Sequence, residues 1–175
     1  MIRLLVGLGN PGKQYDKTRH NAGFLFLDRL IVDYQEDWTD HARFFGATSV
    51  ININNRDVRL LKPMTYMNES GRSVAAVVKY FNMSLDEVLV VHDDLDLRVG
   101  EWKVKYSGGH GGHNGVRSMH ACLGGADFHR MRLGIGRPLA GKSVADYVLS
   151  QSSSDEYEKI QEAIGSSIAQ VKSII

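Results

Sequence analysis

A chain of 175 residues, 43% hydrophobic and 23% charged, has the length and composition of one soluble globular domain with its own core. A single cysteine, Cys122, excludes an intramolecular disulfide, and no apolar run approaches the roughly 18 residues of a membrane span. The net charge is only +1, yet residues 101–142 carry seven Lys/Arg against two acids, a surplus of +5, and residues 143–175 carry two against five. That leaves open either a basic face on a neutral molecule or merely uneven solvation.

In chain order, Ile2–Val6 predicts a short buried strand rather than a secretory leader, which with the lone cysteine leads to an expectation of a cytoplasmic protein. Gly7–Arg19 reads as loop, and a helix runs from His20 or Asn21 to Tyr34 on the spacing of Phe24, Leu27, Leu30 and Ile31. Phe44–Ile53 and Val58–Leu61 flank Asn54-Asn55-Arg56-Asp57, a hairpin signal. Lys62–Asn68 is loop, Ser70–Phe81 helix, Val88–Val91 a buried strand, and Trp102–Lys105 a strand entering a glycine-rich loop. Asn114 is expected to cap a helix ending near Leu123-Gly124-Gly125. Arg130–Ile135 follows as a strand and Ser143–Leu149 as a short helix. A last helix starts near Ser153, with Glu156 placed for a capping box. Strands interspersed with helices, plus one hairpin, predict an α/β fold with a mixed sheet. Residues 1–175 show no repeat or linker, so one domain is expected.

Four constellations bear on chemistry. GLGNPG, residues 7–12, imitates a dinucleotide fingerprint, but Asn-Pro-Gly turns the chain and KQYDKTR delays the helix that a pyrophosphate needs. The alternatives are a plain turn and a turn presenting the Asn10 amide at the sheet's C-terminal edge. TRHNAGF, residues 18–24, sets His20 where loop becomes helix; it is a surface or cap residue unless a carboxylate reaches it. HDDLDL, residues 92–97, ends a strand in acids. Asp93, Asp94 and Asp96 could hold Mg²⁺, but no Walker lysine accompanies them, and an aspartate orienting a histidine is the simpler use. Strand alternation sends His92 and Asp93 to opposite faces, so at most one points into a given site.

GGHGGHNG, residues 108–115, spends five glycines in eight positions. Its histidines lack a Cys/His partner pair at zinc spacing. It lacks the GK[ST] ending of a phosphate loop and closes on Asn114 instead. KPMTYMNESG, residues 62–71, likewise places Asn68 before a helix. Asn10, Asn68 and Asn114 thus each stand at a loop-to-helix junction. Such caps are common for structural reasons, but three beside a histidine and an aspartate suggest a site.

These motifs, with GLGNPG-x2-Y-x4-RHN-x-G and FHRMRLGIGRP, resemble those of the bacterial peptidyl-tRNA hydrolase family from Leu4 to about Glu158. The resemblance implies a three-layer α/β/α domain with a mixed twisted sheet. It implies hydrolysis of the ester between peptide and tRNA, with no metal or cofactor and the tRNA acceptor stem and 3′ end as partner. A monomer is expected. By position, His20 corresponds to the general base and Asp93 to its partner. Asn10 corresponds to the residue that separates blocked from free amino groups. Asn68 and Asn114, with Met67 alongside, correspond to substrate- and water-positioning residues. Tyr15 and Tyr66 match tRNA-contacting positions, and Lys103, Lys105 and Arg132 match basic residues near the acceptor-stem phosphates. Two departures stand out: Ser107 replaces a third glycine and so stiffens the loop, and Ser152 replaces an aromatic.

Without a G-x-S-x-G elbow, and with Cys122 in a helix where burial is the default, water is the expected nucleophile. His20 would take its proton, Asp93 hold the ring, and Asn68 donate to the oxyanion. A non-catalytic RNA-binding protein using residues 101–142 is the main rival and needs no His20–Asp93 pair. An esterase or peptidase acting on another substrate would not need Lys103, Lys105 and Arg132.

Overall fold

A computed structural model describes all residues, 1–175. Seven strands form one sheet in the order β2-β3-β4-β1-β5-β7-β6. They are β1 Leu4–Gly7, β2 Thr39–His41, β3 Gly46–Ile53, β4 Arg56–Pro63, β5 Val88–Asp94, β6 Trp102–Tyr106 and β7 His129–Gly134. The helices are α1 Ala22–Tyr34, α2 Ser70–Tyr80, α3 Asn114–Leu123, α4 Val144–Val148 and α5 Ser154–Ile174. The four central strands β4, β1, β5 and β7 run parallel, and β2–β3, β3–β4 and β6–β7 pair antiparallel, so the sheet is mixed as expected.

β1 is buried at all four positions, because it is covered on both faces and needs no polar side. One face packs Leu5, Leu89, Met131 and Leu133 beneath α1 and α5, through Phe26, Leu30, Ile164 and Ile168. The other packs Leu4, Val88 and Val90 beneath α2 and α3, through Val74, Val77, Val116 and Met119. This is the three-layer arrangement, with the sheet between two helical layers.

Local chemistry sets the boundaries. Asn54 and Asn55 both take positive φ, 53° and 63°, which gives the tight β3–β4 hairpin a twist matching its strands. α5 opens on the predicted box, with Ser153 and Glu156 each capping the other's backbone. Gly124 ends α3 in the left-handed conformation. Where the sequence suggested Asn114 as the α3 cap, the structure uses His113: its side chain accepts from the amides of Gly115 and Val116, and Asn114 is the first helical residue. β5 extends three residues beyond Val91, carrying Asp93 within the strand.

α1 lies against β1 at glycine distance. A Cβ on Gly23 would fall on the backbone N and O of Leu8 and the O of Val91, and one on Gly7 would fall on the carbonyl of Gly23. Backbone cannot yield as a flexible side chain can, so this pair fixes how deeply the segment before α1 sits over the sheet edge. Gly23→Ala is expected to lower stability by about 3 kcal/mol or more, read as a drop in the urea midpoint with the slope unchanged; a midpoint equal to wild type would show that the contact is slack.

Candidate active site

Open α/β sheets build their sites at the carboxyl ends of parallel strands, and the polar buried residues of this chain gather there. His20 arrives on the 3-10 turn Arg19–Asn21 that leads into α1, and Asp93 stands near the end of β5. They lie 73 positions apart in sequence, but the His20 Nδ1 is 2.9 and 3.0 Å from the two carboxylate oxygens of Asp93. An ionised carboxylate only accepts, so Nδ1 carries the hydrogen and the neutral ring keeps its lone pair on Nε2. Nε2 has no hydrogen-bond partner in the protein and is not sealed from solvent.

Asp93 has a second imidazole. His113 Nε2 is 2.8 Å from the same Oδ1 that His20 uses. The other His113 nitrogen accepts from Gly115 N at 3.1 Å and Val116 N at 3.3 Å, so the hydrogen must sit on Nε2 and point to Asp93. The two rings lie 4.8 Å apart between centroids. Sequence reading weighed His113 only as a zinc ligand. Its role as cap and carboxylate donor was signalled, if at all, by its place immediately before the helix.

The electrostatics follow from these contacts. Burial alone pushes the Asp93 carboxyl up, but the charges of His20 and His113 and the hydrogen bonds from both rings hold it far below the ordinary carboxylate range. Burial pushes His20 down, and the Asp93 charge and hydrogen bond more than reverse that, leaving it above its ordinary value of 6.5. His92 goes the other way: burial, then the neighbouring His113, drive it to about 3. His92 and Asp93 do leave β5 on opposite faces, yet both line one cavity. His113 reaches over the strand end to meet both, its ring 4.9 Å from that of His92.

His20, Asp93 and His113 present ligand atoms within 4.8 Å of one another, close enough for a metal ion. The donor chemistry fits poorly. While α3 amides occupy His113 Nδ1, its Nε2 is protonated and offers no lone pair, and Asp93 is satisfied by two N–H donors. Asp93 and His113 are thus engaged in hydrogen bonds, while His20 keeps a free lone pair on Nε2.

Asn10 joins through a second network. Its backbone N–H donates to Asn21 Oδ1 at 2.8 Å, and Asn21 Nδ2 returns a bond of 2.9 Å to the Asn10 carbonyl. Met67 N donates to Asn10 Oδ1 at 2.7 Å, which fixes the amide so that its NH₂ is the free end. Asn21 therefore orients Asn10, a role the sequence did not assign.

A cavity of about 410 Å³ is lined by His20, His92 and Asp93, by the loop Gly109–Asn114, and by Lys105, Arg130, Arg132 and Arg137. Lys103 pairs with Arg132 and Lys105 with Arg130 across β6 and β7, which puts four cations on one sheet face. Only Asp94 answers them among the carboxylates, accepting from Arg132 Nε at 2.7 Å. Arg130, unassigned by the sequence, donates to the carbonyls of Ser107 and Gly109 and so holds the glycine loop. Lys103 is exposed and does not line the cavity. Asn68 is also exposed and outside the lining, and Tyr15 sits half-buried on the turn Lys13–Tyr15. Tyr66 lines a separate groove beyond Met67. Ser107 adopts φ of 57°, the left-handed conformation that favours glycine; its hydroxyl is anchored on Asp127 at 2.9 Å. Cys122 is exposed on α3 rather than buried.

A family model described as peptidyl-tRNA hydrolase matches residues 4–175. The chain belongs to the peptidyl-tRNA hydrolase family. Such a hydrolase from Dichelobacter nodosus is 48% identical over 164 residues, covering 94% of this chain and 87% of its own. One from Saccharophagus degradans is 51% identical, covering 93% and 83%. The crystal structure of peptidyl-tRNA hydrolase from Acinetobacter baumannii superposes with a TM-score of 0.93 at 43% identity, covering 98% of this chain and 87% of that one. Family membership makes this chain an ester hydrolase, and its buried histidine–carboxylate cluster is the natural place to look for the chemistry.

NMR titration of the imidazoles should place the His20 midpoint above 6.5, and Asp93→Asn should move it below, since burial then acts unopposed. His92 should remain neutral to pH 5. A His20 midpoint unchanged in Asp93→Asn would break the electrostatic account.

Proposed function

We propose that this chain hydrolyses the ester joining a peptide to the 3′ ribose of tRNA, with water as nucleophile and His20 as general base. The observation that carries the reading is the His20 ring pinned through Nδ1 by Asp93, with its Nε2 lone pair unpartnered and open to solvent. Water gives a proton to Nε2 as its oxygen adds to the ester carbonyl. The carbonyl oxygen gains the negative charge, and the Asn68 amide donates to it. When the carbonyl reforms, the ribose oxygen leaves with the electron pair and takes the proton from the imidazolium.

Asp93 stabilises that imidazolium and fixes the tautomer. An elevated His20 pKa makes a stronger base, at the cost of activity below that pKa, where the ring is already protonated. The Asn10 NH₂, aimed by Met67 and Asn21, suits a peptide carbonyl and repels a free ammonium, which has only donors. Asn114 at the α3 start supplies a further polar contact to substrate or water. Tyr15 and Tyr66 flank the 3′ end, and Lys103, Lys105 and Arg132 meet acceptor-stem phosphates. Every group in this scheme comes from one chain, so a monomer suffices, and the cytoplasm is where such a substrate is met. No helix is long and apolar enough to cross a membrane.

The decisive assay gives purified protein N-acetyl-aminoacyl-tRNA and its unblocked counterpart with EDTA present; the blocked ester alone should be cleaved. His20→Ala should lose at least about a hundredfold in kcat while still folding cooperatively, with a lowered melting temperature because the buried Asp93 carboxylate loses one donor, and Asp93→Asn should lose less activity, because the ring survives with poorer orientation. Near-normal turnover by His20→Ala would end the mechanism.

Lys105 tests the basic face. Its ammonium has no hydrogen-bond partner in the protein, and burial and the neighbouring Arg130 and Arg132 lower its pKa, which a phosphate would relieve. Lys105→Ala should raise KM for peptidyl-tRNA several-fold at low salt and flatten the salt slope of affinity by roughly 0.7–0.9. A minimal peptidyl-nucleotide ester should be nearly unaffected. Equal losses on both substrates would make Lys105 a support of the loop instead.

A further inference from the structure

The turn Arg19–Asn21 that carries His20 is tied on two sides. Toward the loop after β1, Asn21 exchanges hydrogen bonds with Asn10. On the other side stands Arg19, whose guanidinium the mechanism above leaves unused. Its side chain is 9% exposed and does not line the catalytic cavity; it runs into the junction between α4 and α5. One terminal nitrogen, Nη1, shares its hydrogens among the Gln151 carbonyl at 3.1 Å, the Tyr147 carbonyl at 3.3 Å and the Ser150 hydroxyl. The other, Nη2, donates to Glu156 Oε2 at 2.8 Å. The guanidinium carbon lies 4.1 Å from the centroid of the Tyr147 ring. The main chain joins in: Arg19 N donates to the Ser150 carbonyl at 3.1 Å, and Thr18 bridges to Gln151. Side chain and main chain land on one short segment, so the whole turn is located, not the guanidinium alone.

That junction is itself fixed. The Glu156 oxygen that receives Arg19 also accepts from Ser153 N at 3.0 Å, so one carboxylate closes the α5 capping box and pairs the guanidinium. Burial pushes that carboxyl up, and the Ser153 N–H and Arg19 more than reverse the push. The Tyr147 hydroxyl anchors α4 by donating to the Ile135 carbonyl at 2.6 Å, while Val144, Ala145 and Val148 of the same helix wall the catalytic cavity. We propose that Arg19 is a positioning residue for the base: it sets the turn so that the His20 ring meets Asp93 on one side and the cavity on the other, taking its reference from α4 and α5. The proposal rests on the hydrolase reading above. Arginine suits the task because its planar fork reaches several fixed oxygens while its face packs on an aromatic ring, which a lysine ammonium cannot reproduce. The alternative use is a staple that merely fastens α5 to the body of the protein, and the two uses differ at His20. The titratable groups facing its ring are Asp93 from β5 and His113 from the loop before α3; Tyr147 of α4 faces Arg19 instead. Burial and Asp93 are what shift His20, and Arg19 is not among the causes, so Arg19 acts on the base through its place and not through its charge.

The test measures kcat and KM for N-acetyl-aminoacyl-tRNA, the His20 midpoint by NMR and the melting temperature on wild-type protein, Arg19→Lys, Glu156→Gln and Ile168→Val. Arg19→Lys keeps the charge and loses the fork. Glu156→Gln keeps a residue suited to the capping box and loses the ion pair. Ile168→Val trims the core beneath α5 and touches nothing in the turn. Arg19→Lys should lower kcat about tenfold with KM within about twofold, a loss inside the roughly hundredfold that a misplacement of about 1 Å can cost. Its His20 midpoint should fall toward 6.5, because a ring that leaves Asp93 loses the contact that raises it. Glu156→Gln should move both readings in the same direction and less far, and Ile168→Val should lose stability alone. Wild-type kcat and midpoint in Arg19→Lys, or a raised KM alone, would overturn the proposal; should that variant not fold, Glu156→Gln decides on the same two readings. Failure of wild-type protein to cleave the ester would remove the hydrolase reading itself, a result separate from any difference among the variants.

Discussion

A buried, ionised carboxylate is the constraint on which the rest of this site depends. Asp93 is 2% exposed, and a charge so placed is tolerable only when paired and hydrogen-bonded. Two imidazoles do this, one from the turn before α1 and one from the loop before α3. The requirement runs both ways. The carboxylate needs both donors, and each histidine is held in one tautomer by it. Removing either ring would leave an under-compensated buried charge, a defect worth several kcal/mol. Base strength, ring orientation and local stability are thus a single arrangement.

The sheet makes that arrangement rigid. β5 lies between β1 and β7; its pairing with β1 ends at Val91, and Asp93, just beyond, is held by its partner Leu133 on β7. The Gly7–Gly23 contact sets the depth of α1 and, with it, of His20 just ahead of it. Arg19, next in sequence to His20, adds a further anchor. Its guanidinium bonds Glu156 at 2.8 Å and the carbonyls of Tyr147 and Gln151. The glycine-rich loop is positioned differently. Gly109, Gly111 and Gly112 have open space where a Cβ would stand, but Gly108, Gly111 and Gly112 take positive φ. Their use is conformational: they bend the chain so that His113 can cap α3 and touch Asp93 in the same pose.

Much of this could be read from the sequence, for reasons visible in particular residues. The Asn-Asn hairpin, the Ser153–Glu156 box and the Gly124 terminus are local signals, satisfied by residues within four positions of one another. The residues alone offered a histidine where loop becomes helix and three aspartates after a strand; it was the family resemblance that singled out His20 with Asp93, and the structure brings those two together. What escaped the sequence was non-local or disguised. β2 is three polar residues whose place in the sheet rests on pairing with β3, not on a pattern of its own. His113 was hidden by Asn114, the commoner capping residue one position later. Asn21 and Arg130 look like ordinary polar positions until the loops they hold are folded over them. Alternation correctly separated His92 from Asp93, but it could not foresee a third histidine arching over the strand end. Lys103, Asn68 and Tyr15 were placed by family resemblance, and their distance from the cavity wall leaves their roles to the bound substrate.

The long sequence separation between His20 and Asp93 carries a consequence for the making of the protein. Strand β5 can settle only between β1 and β7, and β7 ends at Gly134. While the chain is being synthesised, His20 emerges early, with neither its carboxylate nor the loop histidine yet available. The His20–Asp93 contact can therefore form only after β5 has taken its place in the sheet, so the order of the strands makes the site one of the last features of the fold that the growing chain can complete.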